Sequence, residues 1–348
     1  MKSIRFGESE ITADGPAYVI AEIGHNHQGN LETAEKMIVT AAACGVNAVK
    51  FQKRDNRYLF TKAFYNKPYE NENSYGATYG EHREFLEFGR EDYLRLKKTA
   101  ADQGVEFMAT AFDPPSADFL AGIGIASFKL ASGDITNTRL ITHVARLGKP
   151  LFMSTGAATL DEIRLGYQTA RTHNDQVVLL HCIAGYPAEY EHLNLRVIET
   201  LRKEFPDALI GYSGHDNGIL AAVIAYMMGA VVIEKHFTLN HSWKGTDHKF
   251  SLEPDGMRKQ VRDLRRVGVS LGSPEKQVQG FEWEARKKMG KGIYFSRPIA
   301  AGSRLQPGDL VLKTPAGDIP PFRMEEAIGR ALKVDVAEEA PLSWDLFE

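Results

Sequence analysis

Residues 231–239 read VVIEKHFTL. Whether they form the eighth strand of a closed barrel or the last strand of an open sheet decides the fold. Val231, Val232 and Ile233 suit a parallel strand buried on both faces. Glu234, Lys235 and His236 follow at once, and such groups are expensive to bury without partners. An apolar run that ends this way points to an architecture in which strand ends are put to use.

Seven earlier runs are built alike: AYVIAEI (17–23), NAVKFQ (47–52), VEFMATA (105–111), ASFKLA (126–131), PLFMST (150–155), VVLLHC (177–182) and ALIGYS (208–213). Helical patterns alternate with them, including LETAEKMIVTAAACG after the first and residues 91–103 before the third. A polar and aromatic insertion follows the second run and reaches about residue 90. GHNHQGN after the first run is not the GxGxxG of a dinucleotide site. Eight evenly spaced strand–helix units without that fingerprint favour a (β/α)8 TIM barrel over a doubly wound α/β sheet. The barrel is expected over residues 1–272, a linker over 273–290, and a small β-rich domain over 291–348, where short extended pieces alternate with Gly and Pro turns.

With 348 residues, 43% hydrophobic, 25% charged and a net charge of −3, the chain has the composition of a globular protein without the basic surface that nucleic acid or anionic lipid would need. The opening MKSIRFGESEITADG lacks the apolar core of a secretory leader, and no apolar run is long enough for a membrane span. Cys44 and Cys182 read as buried reduced thiols, which fits a cytoplasmic location.

In a barrel of this kind the active site is built at the carboxyl ends of the strands. Those ends carry Glu22, Asn26 and His27; Lys50 and Gln52; Thr110; Lys129, Ser132 and Asp134; Ser154 and Thr155; His181; Ser213 and His215; and Glu234 and His236. A lone strand-end lysine is more often part of an ion pair, and a lone serine a turn residue. Lys50 and Lys129 together with Ser132, Ser154 and Ser213 favour a site for a phosphate or carboxylate. His215 and His236 end neighbouring strands, and two imidazoles suit an exchangeable divalent ion acting as a Lewis acid. On spacing alone, two satisfied core histidines fit as well. Glu22 is a candidate base or water-orienting group, or the ion-pair partner of Lys235. The loop WKGTDHKFSLEP (243–254) places Asp247 over the mouth, toward a substrate hydroxyl or in a turn that serves only the backbone.

These motifs, AEIGHNHQGNLETA, VKFQ, FKLASGD, STG, GYSGHDNG, EKHFTL and KGTDHKFSLEP, resemble those of the sialic acid synthase family, in order and almost end to end. The tail KGIYFSRPIAAGSRLQPGDLVLKTPAG is similar to the antifreeze-like (SAF) domain of those enzymes. The insertion KPYENENSYGATYGEHREFLEF is most similar to that of the animal members and their bacterial relatives. The resemblance implies condensation of phosphoenolpyruvate with an open-chain N-acylhexosamine, such as N-acetylmannosamine or its 6-phosphate, to a nonulosonic acid and phosphate. It implies that His215 and His236 bind the metal, Mn or Mg. It places Lys50, Thr110, Lys129, Ser132, Ser154 and Ser213 on phosphoenolpyruvate, Gln52, Asp134, Tyr186 and Asp247 on the sugar, and Glu22 near the reacting carbons. It further implies a domain-swapped homodimer. Three positions depart from the pattern: Ala184 where many members have an asparagine, Thr314 where many bacterial members have an arginine, and Asp134 where glutamate is common. All three bear on the acceptor more than on the reaction. Rival expectations are a synthase for another 3-deoxy-ulosonic acid, a metal-dependent pyruvate aldolase, and a non-catalytic carbohydrate- or ice-binding module.

Overall fold

The structure, a computed structural model, describes residues 3–347, with the side chain of Phe6 excepted. The chain divides into two compact units, Met1–Gly272 and Ser273–Glu348.

The first unit begins with an antiparallel hairpin, β1 (Ser3–Phe6) and β2 (Ser9–Thr12), turned by Gly7 at φ +56°. Eight parallel strands then form a closed barrel. They are β3 (Tyr18–Gly24), β4 (Ala48–Lys53), β5 (Glu106–Ala111), β6 (Phe128–Leu130), β7 (Leu151–Ser154), β8 (Val177–Cys182), β9 (Leu209–Gly214) and β10 (Val232–His236). Closure is made by β10, which pairs with β9 on one side and with β3 on the other, so that His236 lies beside Glu22. The expected barrel is therefore the observed one, with VVIEKH as its last stave.

Around it lie α1 (Leu31–Ala43), α5 (Arg90–Asp102), α6 (Pro114–Gly122), α7 (Thr138–Ala145), α8 (Leu160–Arg171), α9 (Val197–Glu204), α10 (Leu220–Met227) and α11 (Pro254–Leu271). Their starts are set by local chemistry. Asn30 and Asp113 accept from the backbone of the first turns of α1 and α6, and Thr159 and Glu162 form a reciprocal cap on α8. The insertion after β4 is not an open loop. It folds into α2 (Asn56–Leu59), α3 (Lys62–Tyr65) and α4 (Tyr79–Phe85), the last capped by Thr78 and Glu81.

Two apolar layers follow from the period of two along each strand. Val19, Ala21, Val49, Phe107, Leu179 and Ile233 pack outward beneath the helices. Tyr18, Ile20, Ala48, Met108, Phe152, Val178, Leu180 and Val232 form the lower barrel interior. Ile4 and Ile11 of the hairpin join that inner cluster and stopper its lower end, a feature that the sequence reading did not anticipate. Close packing there demands Gly211, since a Cβ at this position would lie 2.3 Å from Leu180.

The second unit has α12 (Glu282–Met289) and one two-stranded ladder, β11 (Gly292–Phe295) with β12 (Leu310–Lys313). Other extended pieces pair through single bridges, such as Ile299 with Val336 and Leu332 with Phe347. Ile293, Phe295, Leu305, Leu310, Leu332 and Phe347 give it a core of its own.

Candidate active site

The parity that buries Ile20 inside the barrel also carries Glu22 inward one step later. On the other strands it does the same for Lys50, Thr110, Lys129, Ser154, Cys182, Ser213, Glu234 and His236. These side chains line one cavity of about 410 Å³ at the carboxyl ends of the strands, together with Gln52, Ser132, Tyr186, His215 and Asp247. Twelve of the thirteen expected site residues thus meet in one place. Asp134 is outside the lining; its Oδ1 accepts from Asn137 Nδ2 at 3.1 Å, next to the start of α7.

At the floor, Lys50 Nζ lies 2.6 Å from Glu22 Oε2 and 3.7 Å from Glu234 Oε1, and donates to Thr110 Oγ1 at 2.9 Å. Burial works against the Lys50 ammonium, but Glu22 and Glu234 outweigh it and hold its pKa above the usual lysine value. Lys129 has less compensation: burial pulls its pKa down, with Glu234 opposing. The two carboxylates diverge. Burial lifts the Glu22 carboxyl above its usual range despite Lys50. Glu234 is also lifted by burial, but Lys50, Lys129 and the 3.0 Å hydrogen bond from Ser213 bring it down to about 2. Ser154 Oγ is buried without a hydrogen-bond partner. Ser132 Oγ accepts from Gly156 N at 3.0 Å, so it braces the backbone as well as lining the cavity.

On the opposite wall the His215 and His236 ring centroids are 5.3 Å apart, and Phe250 packs edge-on to both. His215 Nδ1 bonds the Ile183 carbonyl at 2.8 Å, which places the proton on Nδ1 and leaves a lone pair on Nε2. His236 Nδ1 is buried without a hydrogen-bond partner and lies 3.8 Å from Asp247 Oδ2. Burial lowers the His236 pKa to about 4 against the pull of Asp247, so its imidazole is neutral at physiological pH. Two facing imidazoles, one with an orphaned buried nitrogen 3.8 Å from a carboxylate, fit a divalent ion. No group of three or more His, Cys, Asp or Glu among the described residues is arranged to hold one, so such a site would keep positions open for substrate. Tyr186, 59% exposed, stacks on His215 with centroids 4.2 Å apart.

Lys235 corrects one expectation. Its odd position turns it outward, away from Glu22, and Nζ bonds Asp216 O at 2.5 Å and Asp216 Oδ1 at 3.0 Å. Tyr212 OH donates to the same Oδ1 at 2.7 Å. His181 and Thr155 likewise face outward, bonding Leu193 O and Leu180 O. His27 packs on Phe88, and Asn26, although it lines the cavity, ties Phe237 O and Ser251 Oγ.

The sequence reading missed an upper wall. Arg54, just past β4, and Tyr75, His82 and Arg83 of the insertion also line the cavity, with His25 between the two arginines. The insertion is clasped to the loop after β10 by Tyr75 OH donating to Lys244 O at 2.6 Å and Gly245 N to Asn73 Oδ1 at 2.9 Å.

A barrel whose inward rows end in lysines, carboxylates and paired histidines is an enzyme scaffold, and comparison with known proteins gives its class. The chain belongs to the NeuB family, whose model matches residues 37–276, and an SAF domain matches residues 290–348. It is 38% identical to human (Homo sapiens) N-acetylneuraminate-9-phosphate synthase over 335 residues, 96% of this chain and 93% of the relative. It is 36% identical to N,N'-diacetyllegionaminic acid synthase of Legionella pneumophila, over 95% of this chain and 94% of that one. Among solved structures, an N-acetylneuraminic acid synthetase from Leptospira borgpetersenii, crystallised with citrate, superposes with a TM-score of 0.72 at 32% identity. It covers 82% of this chain and 95% of that one. No helix among the described residues is long and apolar enough to cross a membrane.

Proposed function

We propose that this enzyme condenses phosphoenolpyruvate with an open-chain N-acylhexosamine to give a nonulosonic acid and inorganic phosphate. The observation that carries this reading is the pairing, in one cavity of about 410 Å³, of a lysine and serine floor with a wall of two imidazoles and a carboxylate. The floor suits a phosphorylated carboxylate, and the wall suits the carbonyl end of a polyol. The names of the relatives support the product class.

In the condensation, C3 of phosphoenolpyruvate bonds to the aldehyde carbon, water adds at C2, and phosphate leaves with cleavage of its bond to that carbon. Lys50 and Lys129 hold the phosphate and carboxylate charge, and Ser154 Oγ, buried and unpartnered, supplies a donor there. Glu22, 2.6 Å from Lys50 and bonded by Gln52 Nε2 at 2.7 Å, is placed to pass a proton at the reacting carbons. His215 and His236 would hold a divalent ion, Mn or Mg; the chemistry such an ion supplies when bound is Lewis-acid polarisation of a carbonyl oxygen. Asp247 and Tyr186 orient the acceptor hydroxyls. Holding both reactants in one well removes much of the entropic barrier. A homodimer that exchanges SAF domains belongs to the same proposal, and small-angle scattering of the full chain tests it. For the reaction, the assay is aldose-dependent phosphate release across a panel of 2-acetamido, deamino and 6-phosphorylated hexoses. Release from phosphoenolpyruvate with an aldose and a divalent ion supports the reading. Condensation from pyruvate alone would point instead to an aldolase.

A further inference from the structure

Arg54 and Arg83 present an unusual balance of charge. Arg54 is 8% exposed and stacks its guanidinium 3.6 Å over the ring of Phe112. Among the described residues neither Arg54 nor Arg83 has a carboxylate within 4 Å. Glu87, the nearest carboxylate, gives Oε2 to Lys53 at 2.8 Å and to the Arg54 backbone N–H at 3.3 Å, and its Oε1 lies 3.8 Å from His25 Nε2 without reaching either guanidinium. The remaining partners are neutral: Gln52 Oε1 at 2.7 Å for Arg54, and Tyr79 OH at 2.8 and 3.0 Å for Arg83.

Between the two guanidiniums lies His25, with Arg54 Nη1 3.2 Å from Nε2 and Arg83 Nη1 3.3 Å from Nδ1. A neutral imidazole accepts at one nitrogen only, so one of these arginine donors faces another N–H. Burial and the two flanking charges hold the His25 pKa well below its usual value, so the ring between the arginines is neutral. A buried cation, a half-buried one and a misdirected donor are costly in isolation. They are well matched to a dianion with several acceptor oxygens, which takes bidentate hydrogen bonds from arginine.

The position relates this pair to the proposed acceptor. Gln52 links Arg54 to Glu22, giving a continuous chain from the Lys50 floor through Glu22 and Gln52 to Arg54 and His25. The arginines therefore stand one side chain beyond the reacting end, on the wall that the 55–88 insertion builds.

We propose that Arg54 and Arg83 form an anion subsite for the far end of the acceptor, so that the enzyme selects an aldose bearing a terminal phosphate monoester. This rests on the condensation reading above. The other source of the same chemistry is phosphoenolpyruvate itself, whose phosphate would then sit at the arginines and not at the lysine floor.

The test measures kcat/KM for N-acetylmannosamine 6-phosphate and for N-acetylmannosamine, and KM for phosphoenolpyruvate, in the wild type, Arg83→Gln and Arg83→Lys. A charge-assisted hydrogen bond carries roughly 10- to 100-fold in affinity. The proposal expects a wild-type preference for the phosphorylated acceptor, a fall of that preference ratio by roughly 10- to 100-fold in Arg83→Gln, and partial retention in Arg83→Lys. A rise in KM for phosphoenolpyruvate with an unchanged acceptor ratio would assign the arginines to the other phosphate and overturn it. Turnover of the unphosphorylated acceptor alone would leave the condensation standing and remove the subsite. No aldose-dependent phosphate release from any acceptor would remove both. Calorimetric titration with mannose 6-phosphate against mannose reads the subsite without turnover, and equal affinities would also overturn it.

Discussion

Lys235→Met removes the cation from an ion pair that has no solvent at either end: Lys235 and Asp216 are both fully buried. The pair ties β10 to the turn after β9, one residue from His236 and one from His215, and so fixes the separation of the two imidazoles. Methionine fills a similar volume but leaves the Asp216 carboxylate without its cation, with Oδ2 already unpartnered and only Tyr212 OH bonded to Oδ1. Removing one partner of a buried pair costs about 3–5 kcal/mol. For the 272-residue unit, unfolding entropy of about 2.1 cal/mol/K per residue sums to about 570 cal/mol/K, so the loss lowers Tm by roughly 5–9 °C. Removing both charges should cost much less, because the desolvation penalty leaves with them. Urea and thermal unfolding of Lys235→Met, Asp216→Asn and the double variant form a cycle with an expected coupling of at least ~2 kcal/mol. A loss below about 1 kcal/mol for Lys235→Met, or a double variant equal to the sum of the singles, would refute the reasoning.

Two further outcomes are expected. His236→Ala, whose Nδ1 forfeits no hydrogen bond, should unfold within about 2 kcal/mol of the wild type yet lose at least ~100-fold in metal-stimulated phosphate release; retained stimulation would dismiss the metal role. Acid should weaken the fold before any carboxylate titrates normally. Burial, with help from Arg83 and Lys244, holds His82 at about 4 against 6.5 for the free imidazole. His25 and His27 are shifted the same way. The unfolded chain therefore takes up protons that the folded one refuses, so this stability is complete above about pH 6.5 and is lost as the pH falls toward 4. His82 alone accounts for roughly 3 kcal/mol of it. Glu22 and Asp134, raised by burial, act in the opposite sense, but two carboxyls stand against six imidazoles, with His181, His236 and His248 lowered as well. A urea midpoint that stays flat or rises between pH 7 and 5 would contradict this.

The barrel and most of its rim were legible because one rule, the alternation of strand side chains, acts over each run. Once VVIEKH is a strand with Val232 inward, Glu234 and His236 must be inward and Lys235 outward. The sequence reading saw the residues at this strand end but gave Lys235 the wrong acid, since Asp216 lies in a turn that no period governs. Arg54 and Arg83 escaped for the same reason. They sit outside the strands, and only the folding of 55–88 against the 243–248 loop brings them together. A basic residue directly after VKFQK was the one available signal. Asp134 differs from the other twelve: it is close to a strand end in sequence, but the turn after β6 sets it outside the cavity lining, with Oδ1 accepting from Asn137. The hairpin at Ser3–Thr12 was too short and too polar to be read as an element, and its role depends on two isoleucines that matter only once a barrel exists to receive them.

That hairpin has a kinetic consequence. With the lower end of the barrel stoppered by Ile4 and Ile11, traffic to the lysine floor passes through the rim alone. If the proposed pair of reactants meets in such a well, they must queue: the one bound at the floor enters first, and the one bound at the rim covers it. In the proposed condensation the same single doorway would serve the departing phosphate, which would leave only after the larger product had cleared the rim.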